Sequence, residues 1–265
     1  MLGINPFAAL SSTIAPSVMQ GYVVLMIVLV AAGTLFDIIH KGSAKYFFNN
    51  FRKSKARPVG GGELVSIGVK TALVDVLASG EFCNLKRRIA HLLTMYGFIL
   101  HFGSALVMVC ADPSTDVWPH LWWIGGFMIL LGGYWFWFFI RVDVAAEGST
   151  PWRVMHADLF ILALLASVTL GLLWAYVQSM ALFGLYVIAT TVLFGSVPWS
   201  KFAHMFFKPA AAFEKRVSEA NGTHQNLPTL TRDDPEQQAR HSMELLRDAP
   251  MDMGLGIKRE APRHY

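Results

Sequence analysis

Nine histidines stand in the 265 residues, and six of them, His40, His91, His101, His120, His156 and His204, lie within or beside long uncharged stretches. The other three, His224, His241 and His264, sit in a polar tail and are expected to be solvated. An ionisable ring in an apolar medium loses hydration, so a histidine there is a functional candidate by default. His91 and His101 are ten residues apart. On one helix that spacing is about 15 Å of rise and about 80° of rotation, so both rings can face a single interior. Iron porphyrin takes axial imidazoles from facing helices, each ring oriented through its second nitrogen. Two imidazoles at two depths therefore suit two haems stacked across a membrane, if other helices supply matching ligands. Taken singly, His91 and His204 equally fit interfacial rings bonded to carbonyls or water. His101, more than two turns inside its stretch, fits that reading less well.

The elements that position these rings follow from the charge pattern. Apolar residues make up 54% of the chain and the mean hydropathy is positive, which argues against an ordinary soluble domain. No charged side chain occurs before Asp37, between Arg88 and Asp112, between Asp116 and Arg141, or from Leu159 to Ser200. A bilayer core takes about 20 helical residues, and the last run, 42 residues long, suits a hairpin of two spans. Five spans are expected, near 17–39, 89–111, 118–140, 157–178 and 181–206. The first lacks a basic leader and a small-x-small site between Gly33 and His40, so it is expected to remain as a span. With only Cys83 and Cys110, expected on opposite faces, the chain has no set of thiols for a disulfide, a zinc site or an iron–sulfur cluster.

Lys and Arg in short loops stay cytoplasmic. Here all 22 fall in 40–88, 141–156 and 201–265, and none falls in 1–16, 112–117 or the turn at Gln178. The amino terminus is thus expected outside and the carboxyl terminus in the cytoplasm. The same rule explains the net charge of +4 without nucleic acid. His91, near the start of the second span, and His204, near the end of the fifth, then lie at matching depth by the inner face. Trp118, Trp122, Trp123, Trp174 and Tyr176 near the outer face, and Trp152 and Trp199 near the inner, are expected as interface anchors. Pro58 to Gly62 breaks the loop after the first span, and residues 63–80 repeat apolar Leu64, Ile67, Leu73, Val74 and Leu77 at roughly helical spacing, as in a surface amphipathic helix. Residues 207–265 read as a cytoplasmic tail that lies along a partner. The expected architecture is an all-α membrane protein: a short outer segment 1–16, a five-helix bundle over 17–206, and that tail.

Two motifs carry a family resemblance. His91-Leu-Leu-Thr-Met-Tyr-Gly-Phe-Ile-Leu-His101, and Pro198-Trp199-Ser200-Lys201-Phe202-Ala203-His204, resemble motifs of the b-type cytochrome gamma subunit of respiratory nitrate reductases. Ala157-Asp158 is similar to the opening of that family's fourth helix. Within this wider group, Arg88 to Ile99 and Gly254 to Tyr265 look most like the membrane part of the C subunit of quinone-interacting membrane-bound oxidoreductases, without the soluble iron–sulfur domain those subunits usually carry. The resemblance implies a haem b near the cytoplasmic side with His91 and His204 as its iron ligands. It also implies a second, outer haem using His101. Tyr186 stands where that haem's other ligand would be. Two readings of the outer site follow: His101 pairs with His120, or His101 and Tyr186 line a quinone pocket.

As a whole the resemblance implies a subunit of the bacterial cytoplasmic (inner) membrane. It would pass electrons between the quinone pool and cytoplasmic iron–sulfur and flavin subunits, in dissimilatory sulfur metabolism linked to adenylylsulfate reductase. His156 and Asp158, at the inner start of the fourth span, could carry quinone protons, while Asp158 equally suits a helix N-terminus. Two other classes compete. A haem-free membrane anchor would keep the charge partition without needing paired histidines, and a small transporter would need a broken-helix site or internal repeat that the sequence lacks.

Overall fold

The computed structural model describes residues 3–41, 59–80, 84–111, 115–141, 150–155, 158–199 and 204–222. Seven α-helices carry them: α1 Pro16–Lys41, α2 Gly61–Lys70, α3 Leu85–Cys110, α4 Val117–Trp135, α5 Leu159–Val177, α6 Met180–Gly195 and α7 His204–Ala220. Wider π turns extend α2 through Thr71–Leu77 and α4 through Phe136–Ile140. No β-strand occurs among the described residues. Four helices are long and apolar enough to cross a bilayer: Pro16–His40, Leu85–Cys110, Val117–Ile140 and Leu159–Val177. Helices satisfy their own main-chain donors and acceptors, which hydrocarbon cannot do for them. These four match the first four expected spans to within a few residues.

The fifth differs. The expected span 181–206 ends as α-helix at Gly195 and passes through a 3-10 turn, Val197–Trp199, before a separate helix opens at His204. Pro198 has no N–H for the carbonyl of Phe194 and its ring crowds that turn, so the α-helix stops there. His204 lies in α7, beyond this break.

The chain divides into two compact units. One comprises residues 1–41, 89–136 and 154–203, and the other 42–88, 137–153 and 204–265. In the first, glycines set the packing. A Cβ added at Gly125 would stand 2.5 Å from the His101 nitrogen and 2.7 Å from the Gly97 carbonyl oxygen. One turn pair further, a Cβ at Gly132 would stand 2.6 Å from the Ala90 carbonyl oxygen. The main chains of α3 and α4 touch along this line because no side chain intervenes. Gly126 and Gly133, each one position on, receive Leu172 and Leu165 of α5 at 2.9 and 2.7 Å from their would-be Cβ atoms. Lipid tails are as apolar as leucine, so close contact of this kind, and not exclusion from water, holds membrane helices together.

α5 and α6 form the expected hairpin. Gln178 adopts the left-handed conformation (φ 58°) and donates its N–H to the Trp174 carbonyl at 2.7 Å, and Ser179 starts the next helix. Ser167 and Thr190 share a buried hydrogen bond of 2.7 Å across the pair. α1 lies on α6: Tyr22 donates to the Val187 carbonyl at 3.0 Å, and Gly33 admits Val197 and Pro198.

Residues 3–15, expected only as part of a short outer terminus, fold onto the bundle. Asn5 donates its amide to the Met108 carbonyl at 3.2 Å, and Phe7, just before a 3-10 turn Ala8–Ser12, and Leu10, within it, are buried. In the second unit α2 packs on α7, where Arg216 makes a two-pronged ion pair with Asp75 at 2.7 and 2.8 Å. The Asp75 hydrogen bonds raise the Arg216 pKa above its usual range. The segment from residue 207, expected as a tail lying along a partner, is helical to Ala220, and residues 223–265 lie outside the described ones. Val217, buried four residues after Phe213, supplies the helical period that short polar flanks obscure.

Gly125→Ala should lower stability by about 3 kcal/mol, because main chain, unlike a flexible side chain, cannot yield. Gly103→Ala on the facing helix α3, with open space around it, should gain about 0.5–1 kcal/mol. Thermal unfolding of the detergent-solubilised protein distinguishes the two; equal effects would show that the glycine line does not set the packing.

Candidate functional site

His101 lies at the centre of the first unit, fully buried on α3. The buried residues Ala90, Gly97, His101, Ser104 and Met108 trace one face of the helix at spacings of three, four and seven. Its ring stacks on Trp122 of α4, centroids 4.6 Å apart and planes 24° apart. Nδ1 is 2.8 Å from the Trp122 carbonyl oxygen. A carbonyl only accepts, so Nδ1 carries the proton and Nε2 of the neutral ring presents its lone pair. That Nε2 is buried and has no hydrogen-bond partner among the described residues. Gly126 makes the arrangement possible, since a Cβ there would come within 3.2 Å of Nδ1. An imidazole held through Nδ1 on a main-chain carbonyl, with Nε2 bare, is the state in which histidine binds a metal.

From His101 a run of ring contacts crosses the bundle: Trp122 to Phe7 at 6.1 Å, Phe7 to Trp174 at 5.2 Å, and Trp174 to Tyr186 at 5.8 Å with planes 8° apart. Trp122 and Trp174 are therefore interior residues and not the interface anchors expected of them. The signal was present in the sequence: Trp122, Gly126, Ile129 and Gly133 fall at spacings of four, three and four, one inward stripe of α4. Trp152, Tyr176 and Trp199 are exposed, as anchors require. Phe7 carried no signal, because nothing in residues 3–14 shows that they fold back.

The remaining expected site residues are dispersed. Tyr186 is buried, with its ring against Gly171 and its carbonyl accepting from Thr190 at 2.8 Å. Three rings link it to His101, so the two do not form one pocket wall by direct contact. His120 is exposed, its Nδ1 2.6 Å from the Asp116 carbonyl and its ring beside Gly3. His101 and His120 thus each hold a main-chain carbonyl. Asp158 is buried ahead of α5, accepting the Met155 N–H at 2.8 Å while its own N–H bonds the Met155 carbonyl at 2.9 Å. That turn lies ahead of the helix, and the carboxylate makes no capping hydrogen bond to α5 itself.

His91 is exposed on α3. It shares a stripe with Phe98 and Phe102, within about 20° of each at 100° per residue. Both phenylalanines meet Phe194 of α6, at 6.4 and 5.2 Å. The stripe bearing His91 therefore turns toward α6, the helix that leads into the Pro198 break. His204 opens α7 in the other unit; its side chain, and His156 entirely, lie outside the described residues. Groups of three or more His, Cys, Asp and Glu able to hold a bare metal ion do not occur among the described residues. Porphyrin brings four of its iron's ligands itself and needs only one or two imidazoles from protein.

His101→Phe keeps the stack on Trp122 and removes an unsatisfied nitrogen, so the unliganded fold should change by no more than about 1 kcal/mol. His101→Ala should cost about 2–4 kcal/mol through the cavity it leaves. Unfolding of both variants without added cofactor tests this; an equal loss would mean that the polar atoms hold the fold together. No protein-family model, curated protein or solved structure matches the chain.

Proposed function

We propose that the chain is the haem b-bearing membrane subunit of a quinone-linked oxidoreductase of the bacterial inner membrane. The observation that carries this reading is His101: buried to zero exposure inside an apolar bundle, fixed through Nδ1, and offering a bare Nε2. An unsatisfied buried nitrogen costs about 1–3 kcal/mol, which ligation of a metal would offset. A buried imidazole fixed through Nδ1 suits an iron ligand. His91 and His204 would hold an inner haem, as the resemblance of their motifs implies, and His101 would hold an outer one. Haem supplies one-electron transfer at a potential set by its ligands and their burial. The chain's own part is to orient the imidazoles, exclude water and fix the depth of each ring.

In this reading α6 is the fifth span. Its 16 residues rise about 24 Å, and the 3-10 turn Val197–Trp199 carries the chain most of the remaining distance across a core of about 30 Å. The partition of Lys and Arg then puts the amino terminus outside and residues 204–265 in the cytoplasm. The same face would receive the iron–sulfur and flavin subunits, in a sulfur-metabolising complex. Tyr186 with the Ser167–Thr190 pair forms a polar patch among apolar residues, a setting that suits a quinone headgroup.

A reduced-minus-oxidised visible spectrum of the purified full-length protein should show a b-type band. His91→Ala and His204→Ala should each remove about one haem equivalent, measured as haem per protein, and His101→Ala should remove a second equivalent where two are bound. Absence of the band in membranes supplied with haem would refute the reading in favour of a haem-free anchor or a transporter. An unchanged ratio in His91→Ala would refute the ligand assignment alone.

A further inference from the structure

α2 is three-sided. At 100° per residue, Leu64, Ile67, Gly68 and Thr71 fill one arc. This is the packed side: Thr71 is buried, Gly68 meets Phe213 of α7, and Asp75 further on holds Arg216. Glu63, Ser66 and Lys70 fill a second arc, exposed and polar. The third arc, about 80° wide, holds Gly62, Val65, Val69 and Ala72. Val65 and Val69 are 67% and 52% exposed, and Leu73, next along this side, is 55% exposed.

The π turn keeps this apolar line straight. Residues four apart drift round an α-helix by about 40°, so a long four-residue repeat would wind away from one surface. Over Thr71–Leu77 the helix widens, as in the Ala78 N–H to Leu73 carbonyl bond of 3.0 Å that spans five residues. Less rotation per residue returns Leu73 and Val74 toward the line of Val65 and Val69. The segment then stops at Ser79 (φ 48°), with the Gly80 N–H on the Val74 carbonyl at 2.7 Å. Five residues after Gly80 the bilayer-length helix α3 begins, and within its first turn Arg88 donates Nε to the Ala78 carbonyl at 2.8 Å. The end of α2 is therefore tied to the mouth of a helix that crosses the membrane.

We propose that α2 with its π extension lies in the plane of the membrane, its Val65–Val69–Leu73 side against the acyl chains of the leaflet from which α3 departs. The occupant follows from continuity: the Arg88–Ala78 bond joins this apolar side to a lipid-facing helix through a link too short to carry it away from the bilayer surface. The polar arc completes the match, since Glu63, Ser66 and Lys70 adjoin the apolar one and meet headgroups and water. The other flank is covered by α7. The inference is independent of haem.

The test uses the full chain with Cys83→Ser and Cys110→Ser, bimane on Val69→Cys or on Leu73→Cys, and reconstitution into vesicles of phosphatidylcholine brominated on its acyl chains. Emission at both positions should fall about two-fold or more relative to unbrominated vesicles, while bimane on Ser66→Cys or Lys70→Cys should be unaffected. Undiminished emission at both apolar positions overturns the proposal. If those labels are also shielded from aqueous iodide, protein covers the face, either residues 223–265 of this chain or a second copy, and the proposal fails equally. Val65→Cys, read in the same way, guards against one label disturbing its own site.

Discussion

The contact of α3 with α4 at Gly97, Gly125 and Gly132 is the constraint from which the first unit follows. Hydrocarbon gives apolar helices no reason to prefer one another over lipid, so their association depends on how many atoms they bring into van der Waals range. With no Cβ at these positions the two main chains reach contact, and α4 is held at one rotation. That rotation in turn presents Gly126 and Gly133 to α5, where Leu172 and Leu165 occupy the space. Two pairs of glycines, seven residues apart and one position out of step, thus make α4 the middle member of a three-helix layer.

The histidine site is a product of the same line. Gly125 brings α4 against the His101 main chain, and this closeness lets the Trp122 carbonyl reach Nδ1. Were α4 a methyl group further away, the ring would lose both its stacking surface and its proton acceptor. The aromatic run from Trp122 through Phe7 and Trp174 to Tyr186 crosses one end of the bundle, with Phe7 of residues 3–14 as its middle piece. Among the described residues Nε2 has no hydrogen-bond partner, which is uncommon for a buried nitrogen.

The second unit is organised differently. Its helices meet through the Asp75–Arg216 pair and the Phe213 contact on Gly68, and a fully buried Arg141 binds the carbonyls of Thr150 and Arg153 while lying 4.1 Å over Trp137. Paired charges and main-chain carbonyls carry the packing that glycine contacts carry in the spans. This difference suits a region at a polar boundary, where buried guanidinium groups find acceptors that hydrocarbon does not offer.

Uncharged runs gave the membrane helices directly, because crossing hydrocarbon demands length and the absence of charge, both local properties of the chain. The hairpin at Gln178 was equally local, whereas the uncharged run continues past Pro198, where the α-helix in fact ends. His101 could be singled out because an ionisable residue deep in an apolar run is conspicuous wherever it packs. What it touches could not be read, since the Trp122 carbonyl, the space at Gly126 and the intrusion of Phe7 depend on helix rotation and on a terminal segment folding back. The tryptophans show the division most plainly. Their type fits an interface or a core equally well, and only the approach of α3 and α5 to α4 decided that Trp122 is buried. Sequence by itself determined which segments enter the membrane and which side chains are costly there; tertiary structure alone decided which of those side chains meet, because contact depends on rotation about helix axes that hydropathy does not encode.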